Sequence, residues 1–384
     1  MKKLLIPALL LLAACQNKPL VDPGTASGKL NNGKLRTFAG TTRTDSLYGG
    51  SVHFGTANNQ DYLGNKIGYA MKLARMMHWN YFRADASTDS LGNPSNANFA
   101  VFVDSAYNAG FGVFAVLSNP NLAAPAAPAS GYTTSELNAF YQKGYNKGYG
   151  FINRFPGKIG FLQVYNELEL DNNADLLRST YHGTATPTDT EVNLKYNMAK
   201  YKAYLQYLSG MYSGAKAANS NIRVGMNYGW IHYGLFRRFA LDMKAINKKL
   251  DFMGLDWYND SEYGTDRSHN VSPIDTPMAN KAIVRLKLKF IDSSLVTQVG
   301  ITETGISFGG TPSPGINPNG LGKGGFLTLM HNQYKSNCNF LFYYELFKEP
   351  LTRGSGTKEA EFGIQTPTNL SPNILVTDTL SLLH

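Results

Sequence analysis

Two glutamates close apolar runs. One ends Phe161-Leu162-Gln163-Val164-Tyr165-Asn166-Glu167, and the other sits in Val299-Gly300-Ile301-Thr302-Glu303-Thr304-Gly305. Breaking a glycosidic bond needs a proton donor for the leaving oxygen and an anion for the oxocarbenium-like carbon, and two carboxyl groups supply both. At about 5 to 5.5 Å apart, one of the two acts as nucleophile and the product keeps its anomeric configuration. The plain alternative is that each glutamate pairs with a neighbouring arginine and does no chemistry.

The elements that must position this pair follow from the periodicity. Short β-rich runs occur at Ser51–Gly55, Tyr81–Asp85, Gly112–Leu117, Gly160–Asn166, Arg223–Asn227, Phe252–Tyr258, Gln298–Thr302 and Asn339–Tyr344. Most are continuously apolar, as parallel strands buried on both faces require. Between them run helical stripes. Leu63, Ile67, Ala70, Ala74 and Met77 step by 4, 3, 4 and 3, and Met198, Tyr201, Leu205, Leu208 and Tyr212 by 3, 4, 3 and 4. Leu235, Phe239, Met243, Ile246 and Leu250 form a third stripe. Eight strands with helices in all seven gaps predict an α/β fold, a single (β/α)₈ TIM barrel over residues 49–384. An eighth helix is weakly marked. Barrel enzymes carry their catalytic side chains at the carboxyl ends of strands, and strands four and seven face each other across the mouth. The long Gly-, Pro-, Asn- and Thr-rich stretches at 171–190 and 308–324 follow those same two strands.

With these residues in place, the sequence resembles clan A of the retaining glycoside hydrolases. That clan ends strand four with an Asn-Glu pair, whose glutamate is the acid/base, and strand seven with a glutamate nucleophile. The resemblance implies that Glu167 is the acid/base, Glu303 the nucleophile and Asn166 a substrate contact. It also implies that Arg83, in Phe82-Arg83-Ala84-Asp85, lies near the nucleophile, and that Tyr258, in Asp256-Trp257-Tyr258-Asn259, bonds to it. Arg83 also fits a purely structural ion pair, and Asn166 a loop cap. An amide nevertheless suits a sugar hydroxyl, since it both donates and accepts. One departure stands out: the clan's tryptophan ending strand eight is missing from Phe342-Tyr343-Tyr344-Glu345-Leu346-Phe347, where Tyr344 or Phe347 is left to floor the pocket. Glu345 has no counterpart that explains it.

Trp230, Trp257, Tyr228 and Phe308 follow or close strands, where their rings suit either sugar stacking or ordinary packing. Two motifs are set aside. Gly305-Ile306-Ser307-Phe308-Gly309 has the Gly-x-Ser-x-Gly spacing of a nucleophile elbow. Gly310, Pro312, Pro314 and Gly315 follow it, where that elbow needs a helix. Gly320-Leu321-Gly322-Lys323-Gly324-Gly325 fits a dinucleotide fingerprint but follows a loop instead of a strand.

Composition narrows the remaining classes. Of 384 residues 43% are hydrophobic and 16% charged, so the chain has ample apolar surface to fold. The formal charge of +9 is scattered without the aromatic interleaving that nucleic acid demands, so no nucleic-acid partner is expected. Two cysteines, Cys15 and Cys338, with seven dispersed histidines, give no metal-ligand pattern, and no cofactor is expected. At the start, Lys2 and Lys3 precede a short apolar stretch and then Leu12-Ala13-Ala14-Cys15, which resembles the bacterial lipoprotein box. The reading is a signal peptide over 1–14, a lipid-carrying Cys15, a flexible tether over 15–48, and a bacterial cell-envelope location anchored in a membrane. Gln16 after the cysteine points to the outer membrane. The expected substrate is a carbohydrate. The rival expectation is a catalytically inactive glycan-binding lipoprotein on the same barrel.

Overall fold

The computed structural model describes residues 47–54, 65–117, 131–168, 197–229, 233–257, 286–305, 329–332, 334 and 337–344. Cys15, Trp230, Tyr258, Phe308, Glu345, Phe347, the leader, the expected tether up to residue 46 and the stretches 171–190 and 308–324 lie outside them.

Eight parallel strands close on themselves in chain order. They are β1 (Leu47–His53), β2 (Tyr81–Ala86), β3 (Gly112–Leu117), β4 (Ile159–Val164), β5 (Arg223–Gly229), β6 (Phe252–Asp256), β7 (Gln298–Thr304) and β8 (Phe340–Tyr343). Every expected strand is present. The first begins four residues earlier than its apolar run suggested, because Leu47 and Tyr48 pair with Phe340 and Leu341 to close the barrel. Five helices fill the first five gaps: α1 (Asn65–Met76), α2 (Ala97–Ala109), α3 (Thr134–Arg154), α4 (Met198–Ala218) and α5 (Tyr233–Ala245). A π-turn over Lys287–Ile291 precedes β7, and residues 329–332 are helical before β8. Among the described residues, no helix is long and apolar enough to cross a membrane.

The continuous apolar runs have two destinations. Outward side chains such as Phe82, Ala84, Val113, Leu162, Val224, Met253 and Ile301 join the layer beneath the helices. Inward side chains form a separate plug of Phe114, Val116, Phe161, Phe252, Phe340 and Phe342. Phe114 is its hub, with the rings of Phe161, Phe252 and Phe342 centred 5.0–5.2 Å away. Rings of this size leave no room beside them: a Cβ on Gly300 would lie 2.4 Å from Cδ2 of Phe340. The plug is therefore a solid floor, and a Phe→Ala change in such a setting costs about 3–5 kcal/mol.

Helix stripes behave as expected, with two corrections. Ile246 is exposed, because α5 stops at Ala245 and Asn247 turns left-handed at φ 59°. On α4 the buried face is far wider than the Tyr201–Leu208 stripe, since Tyr204, Tyr207, Met211 and Ala215 are also buried. The cause is α3. Gly144 and Gly148 of α3 and Gly210 and Gly214 of α4 let the two backbones touch. A Cβ at these positions would fall 2.0–2.4 Å from carbonyl oxygens of the facing helix. α3 starts from a reciprocal cap, in which Glu136 N donates to Thr133 Oγ1 and Thr133 N to Glu136 Oε2.

Candidate active site

Toward the carboxyl ends of the strands the barrel interior turns polar. Ser51, Arg83, Gln163, Asn227, Asp256, Thr302 and Glu303 are all buried there. Such groups are tolerable only if they satisfy one another, and the hydrogen bonds show that they do.

Glu303 reaches the interior through a β-bulge. Leu255 of β6 pairs with Ile301 of β7, but the next residue, Asp256, pairs with Glu303, so Thr302 is an extra residue. The β7–β8 pairing slips at the same place, from Ile301–Leu341 to Thr304–Tyr343. A bulge breaks the two-residue alternation of a strand. Thr302 and Glu303 therefore both serve the interior. Thr302 Oγ1 lies 2.6 Å from Asp256 Oδ1, and Glu303 Oε1 lies 2.6 Å from Arg83 Nη1. Arg83 is 2% exposed and Glu303 3%, so their pair is fully desolvated. Removing one partner of such a pair typically costs about 3–5 kcal/mol, because the other is left as an uncompensated buried charge.

Arg83 ties the strand-seven carboxylate to the strand-four turn. Its Nε donates to Gln163 Oε1 at 3.2 Å and its Nη2 to Asn166 Oδ1 at 2.6 Å. Asn166 Oδ1 also accepts from Gln163 Nε2 at 3.0 Å and Asn227 Nδ2 at 2.9 Å. Arginine cannot accept, so the oxygen of Asn166 must face it. The Asn166 amino group then points away from all three donors and donates to no protein group among the described residues.

The chain bends sharply where it presents Glu167. Tyr165 has φ 69° and Glu167 φ 41°, both in the left-handed region that side chains disfavour. Each such residue costs on the order of 1–3 kcal/mol and persists only where its surroundings over-determine it. Here they do. The Tyr165 ring is enclosed by Tyr204 and Tyr207 of α4, at 5.7 and 5.9 Å, and Asn227 Oδ1 accepts the N–H of Glu167 at 3.1 Å. Glu167 is half-buried, open enough to meet a substrate.

At the rim, His53 Nδ1 lies 2.8 Å from Asp85 Oδ1, and the His53 ring meets Tyr344 edge-on at 5.0 Å. Burial raises the proton affinity of Asp85, but His53, Arg83 and the N–H of Phe54 outweigh it and hold the carboxyl below the usual range. Tyr344 is therefore half-buried at the mouth, beside the polar layer.

Asn166, Glu167, Arg83 and Glu303 thus converge on one network. Trp257 is 0% exposed, with its ring against Tyr334 at 5.9 Å, in the layer beneath the helices. Tyr228 is likewise buried, stacked on Phe236. Gln163, Asn227, Asp256, Ser51 and Thr302 carry the network without having been singled out. Their signal is a polar residue at an inward position of an otherwise apolar strand. Among the described residues, no three His, Cys, Asp or Glu side chains are grouped to hold a metal ion.

No family model and no curated protein matches the sequence. Solved structures do match. A glycoside hydrolase of family 39 from the gut symbiont Bacteroides cellulosilyticus WH2 aligns over 84% of this chain, with a TM-score of 0.53 and 15% identity. The chain spans 60% of that protein's length. A family 1 β-glucosidase from Thermotoga maritima aligns over 84% of this chain and 92% of its own, with a TM-score of 0.52 and 11% identity. A family 10 endoxylanase from a sugarcane soil metagenome aligns over 88% and 97%, with a TM-score of 0.54 and 10% identity. The shared fold is the (β/α)₈ barrel. These neighbours are glycoside hydrolases.

Proposed function

We propose that this protein hydrolyses O-glycosidic bonds in an oligo- or polysaccharide by a retaining double displacement. Glu303 is the nucleophile and Glu167 the acid/base. The observation that carries the reading is the desolvated Arg83–Glu303 pair, bridged through Asn166 to the strained turn that presents Glu167. Arg83, 2.6 Å from Glu303 Oε1, fixes its orientation, so the attacking oxygen needs little reorganisation. Glu167, half-buried on the opposite side, can exchange protons with the leaving group and then with water. The amino group of Asn166 is aimed to donate to a sugar hydroxyl, and Tyr344 lies at the mouth where a ring could lie against it. Tyr258 and Trp230 remain proposed contacts on sequence grounds.

A panel of chromogenic glycosides and polysaccharides identifies the substrate. If none is cleaved and some are bound, the protein is a glycan-binding barrel instead. On a cleaved substrate, the first-formed product followed by NMR is expected to keep the anomeric configuration. Inversion would mean that the carboxyl groups are spaced for a water between them, and the double displacement would fall.

We further propose that Cys15 carries a lipid that holds the protein to the bacterial envelope. The support is the short apolar stretch and the small residues before Cys15. Cys15→Ser is expected to shift the protein from the membrane fraction to the soluble one, as read by fractionation and immunoblot. Unchanged membrane association would remove the anchor.

A further inference from the structure

The glycosidase reading leaves one buried carboxyl group without a role. Asp256 ends β6, is 3% exposed, and is the cross-strand partner of Glu303. Its oxygens meet neutral groups only: Thr302 Oγ1 at 2.6 Å from Oδ1, and Asn227 Nδ2 in close contact with Oδ2. The guanidinium of the site is aimed at Glu303 and Asn166. An ionised Asp256 would set a further negative charge beside Glu303 and Glu167 in a buried layer where Arg83 already serves Glu303. Burial and the two glutamates push its proton affinity well above the usual carboxylate range, and Arg83 and Thr302 oppose this only in part.

The hydrogen bonds have room for the proton. Thr302 Oγ1 donates to Oδ1 when Asp256 is ionised, and since a hydroxyl also accepts, a proton on Oδ1 reverses that contact while Oδ2 still accepts from Asn227. The Asn227 amide cannot turn over to suit a different arrangement. Its oxygen accepts the N–H of Glu167, and its amino group also donates to Asn166 Oδ1. Asp256 therefore sits at the root of two lines of contact. One runs through Asn227 to the Glu167 turn, and the other through Thr302 to the bulge that turns Glu303 inward.

We propose that Asp256 works as a neutral carboxylic acid, a positioning residue that holds both glutamates through Asn227 and Thr302. Its part in catalysis rests on the glycosidase reading, whereas its protonation state does not. A carboxylic acid kept neutral at pH 7 by its surroundings is an established device for fixing hydrogen bonds in an active site.

Asp256→Asn separates the possibilities, since an amide keeps both contacts and loses only the ionisable proton. Asp256→Ala loses both contacts. The infrared difference spectrum of wild type minus Asp256→Asn at pH 7 is expected to show the carbonyl band of a protonated acid, shifted in D₂O. Carboxylate bands in its place overturn the proposal. Thermal unfolding gives a second test without substrate. In the unfolded chain Asp256 ionises near pH 4, while the native state retains the proton. The native state thus binds the extra proton, and wild-type stability falls as pH rises above that point. Asp256→Asn is expected to gain in melting temperature over wild type between pH 4 and 8, and a constant or closing gap overturns the proposal.

On a cleaved substrate, Asp256→Ala is expected to lose roughly 10²-fold in kcat at nearly unchanged KM, and Asp256→Asn to recover most of that loss without a shift in the pH profile. An Asn variant as damaged as the Ala variant shows that the site needs the anion. If the wild type cleaves nothing, the glycosidase reading fails by itself, and the infrared and unfolding results still decide the state of Asp256.

Discussion

Glu303→Ala is expected to lose at least roughly 10⁴-fold in kcat on every glycoside that the wild type cleaves, whatever the leaving group, because no covalent intermediate can form. The loss should not depend on aglycone acidity, since the missing group attacks carbon and does not move a proton. Removing Glu303 also strands Arg83, whose guanidinium is 2.6 Å from it in a desolvated pair. The alanine variant is therefore expected to unfold at lower temperature, by the equivalent of about 3–5 kcal/mol. Glu303→Gln, which keeps an oxygen toward Arg83, should recover part of that stability and none of the activity. Azide added to Glu303→Ala can react only by occupying the vacated position, and any glycosyl azide formed should have inverted configuration. Activity near that of the wild type in both the Glu303 and Glu167 variants would show that these residues are not the catalytic pair.

Glu167→Ala should behave differently, and the contrast assigns the roles. General acid–base catalysis contributes about 10²–10⁴-fold, so substrates with poor leaving groups are expected to lose that much. An aryl glycoside with a good leaving group needs little proton donation. Its glycosylation should proceed while hydrolysis of the intermediate stalls, giving a burst of phenol followed by a slow steady state. Azide needs no general base. It is expected to restore turnover and to yield a glycosyl azide of retained configuration. The opposite pattern, retained azide from Glu303→Ala and inverted azide from Glu167→Ala, would exchange the two assignments and leave the barrel unaffected. Stability separates the variants as well. Glu167 is half-buried whereas Glu303 is desolvated against Arg83, so truncating Glu167 should disturb the fold less than truncating Glu303.

Much of this architecture can be read before any coordinates. Strands buried on both faces leave continuous apolar runs, and most of the eight show one, Val113–Leu117 and Phe340–Tyr343 among them. Glu167 and Glu303 were legible because an acid ending such a run is conspicuous. The bulge was not. Nothing in Ile301-Thr302-Glu303-Thr304 distinguishes a regular alternation, which would send neighbouring residues to opposite faces, from the slip that sends both Thr302 and Glu303 inward. Pairing with two neighbouring strands decides that, and it is a property of the closed barrel. Asn227 and Asp256 escaped attention for a related reason. Each is an ordinary polar residue near a strand end, and only the shared register of β4 to β7 shows that they meet. Trp257 illustrates the converse, since a ring beside a strand end can point outward under the helices as easily as toward the mouth.

The seam between α3 and α4 reaches beyond packing. α3 leads into β4 and α4 follows it, so the touching backbones clamp the two neighbours of the strand that delivers Glu167. The segment at 169–196 leaves from Leu168, which is buried, and rejoins at Asn197, whose side chain caps α4 by accepting from Lys200 N at 3.2 Å. Both of its anchorage points are thus set by parts of the molecule that do not depend on what it contains. Lengthening a connection between fixed ends is cheap, about 0.6 kcal/mol for each doubling. The barrel therefore behaves as a chassis on which the connection from β4 to α4 is interchangeable. Selection, or a designer, can rewrite that stretch while Glu167 stays where β4 delivers it.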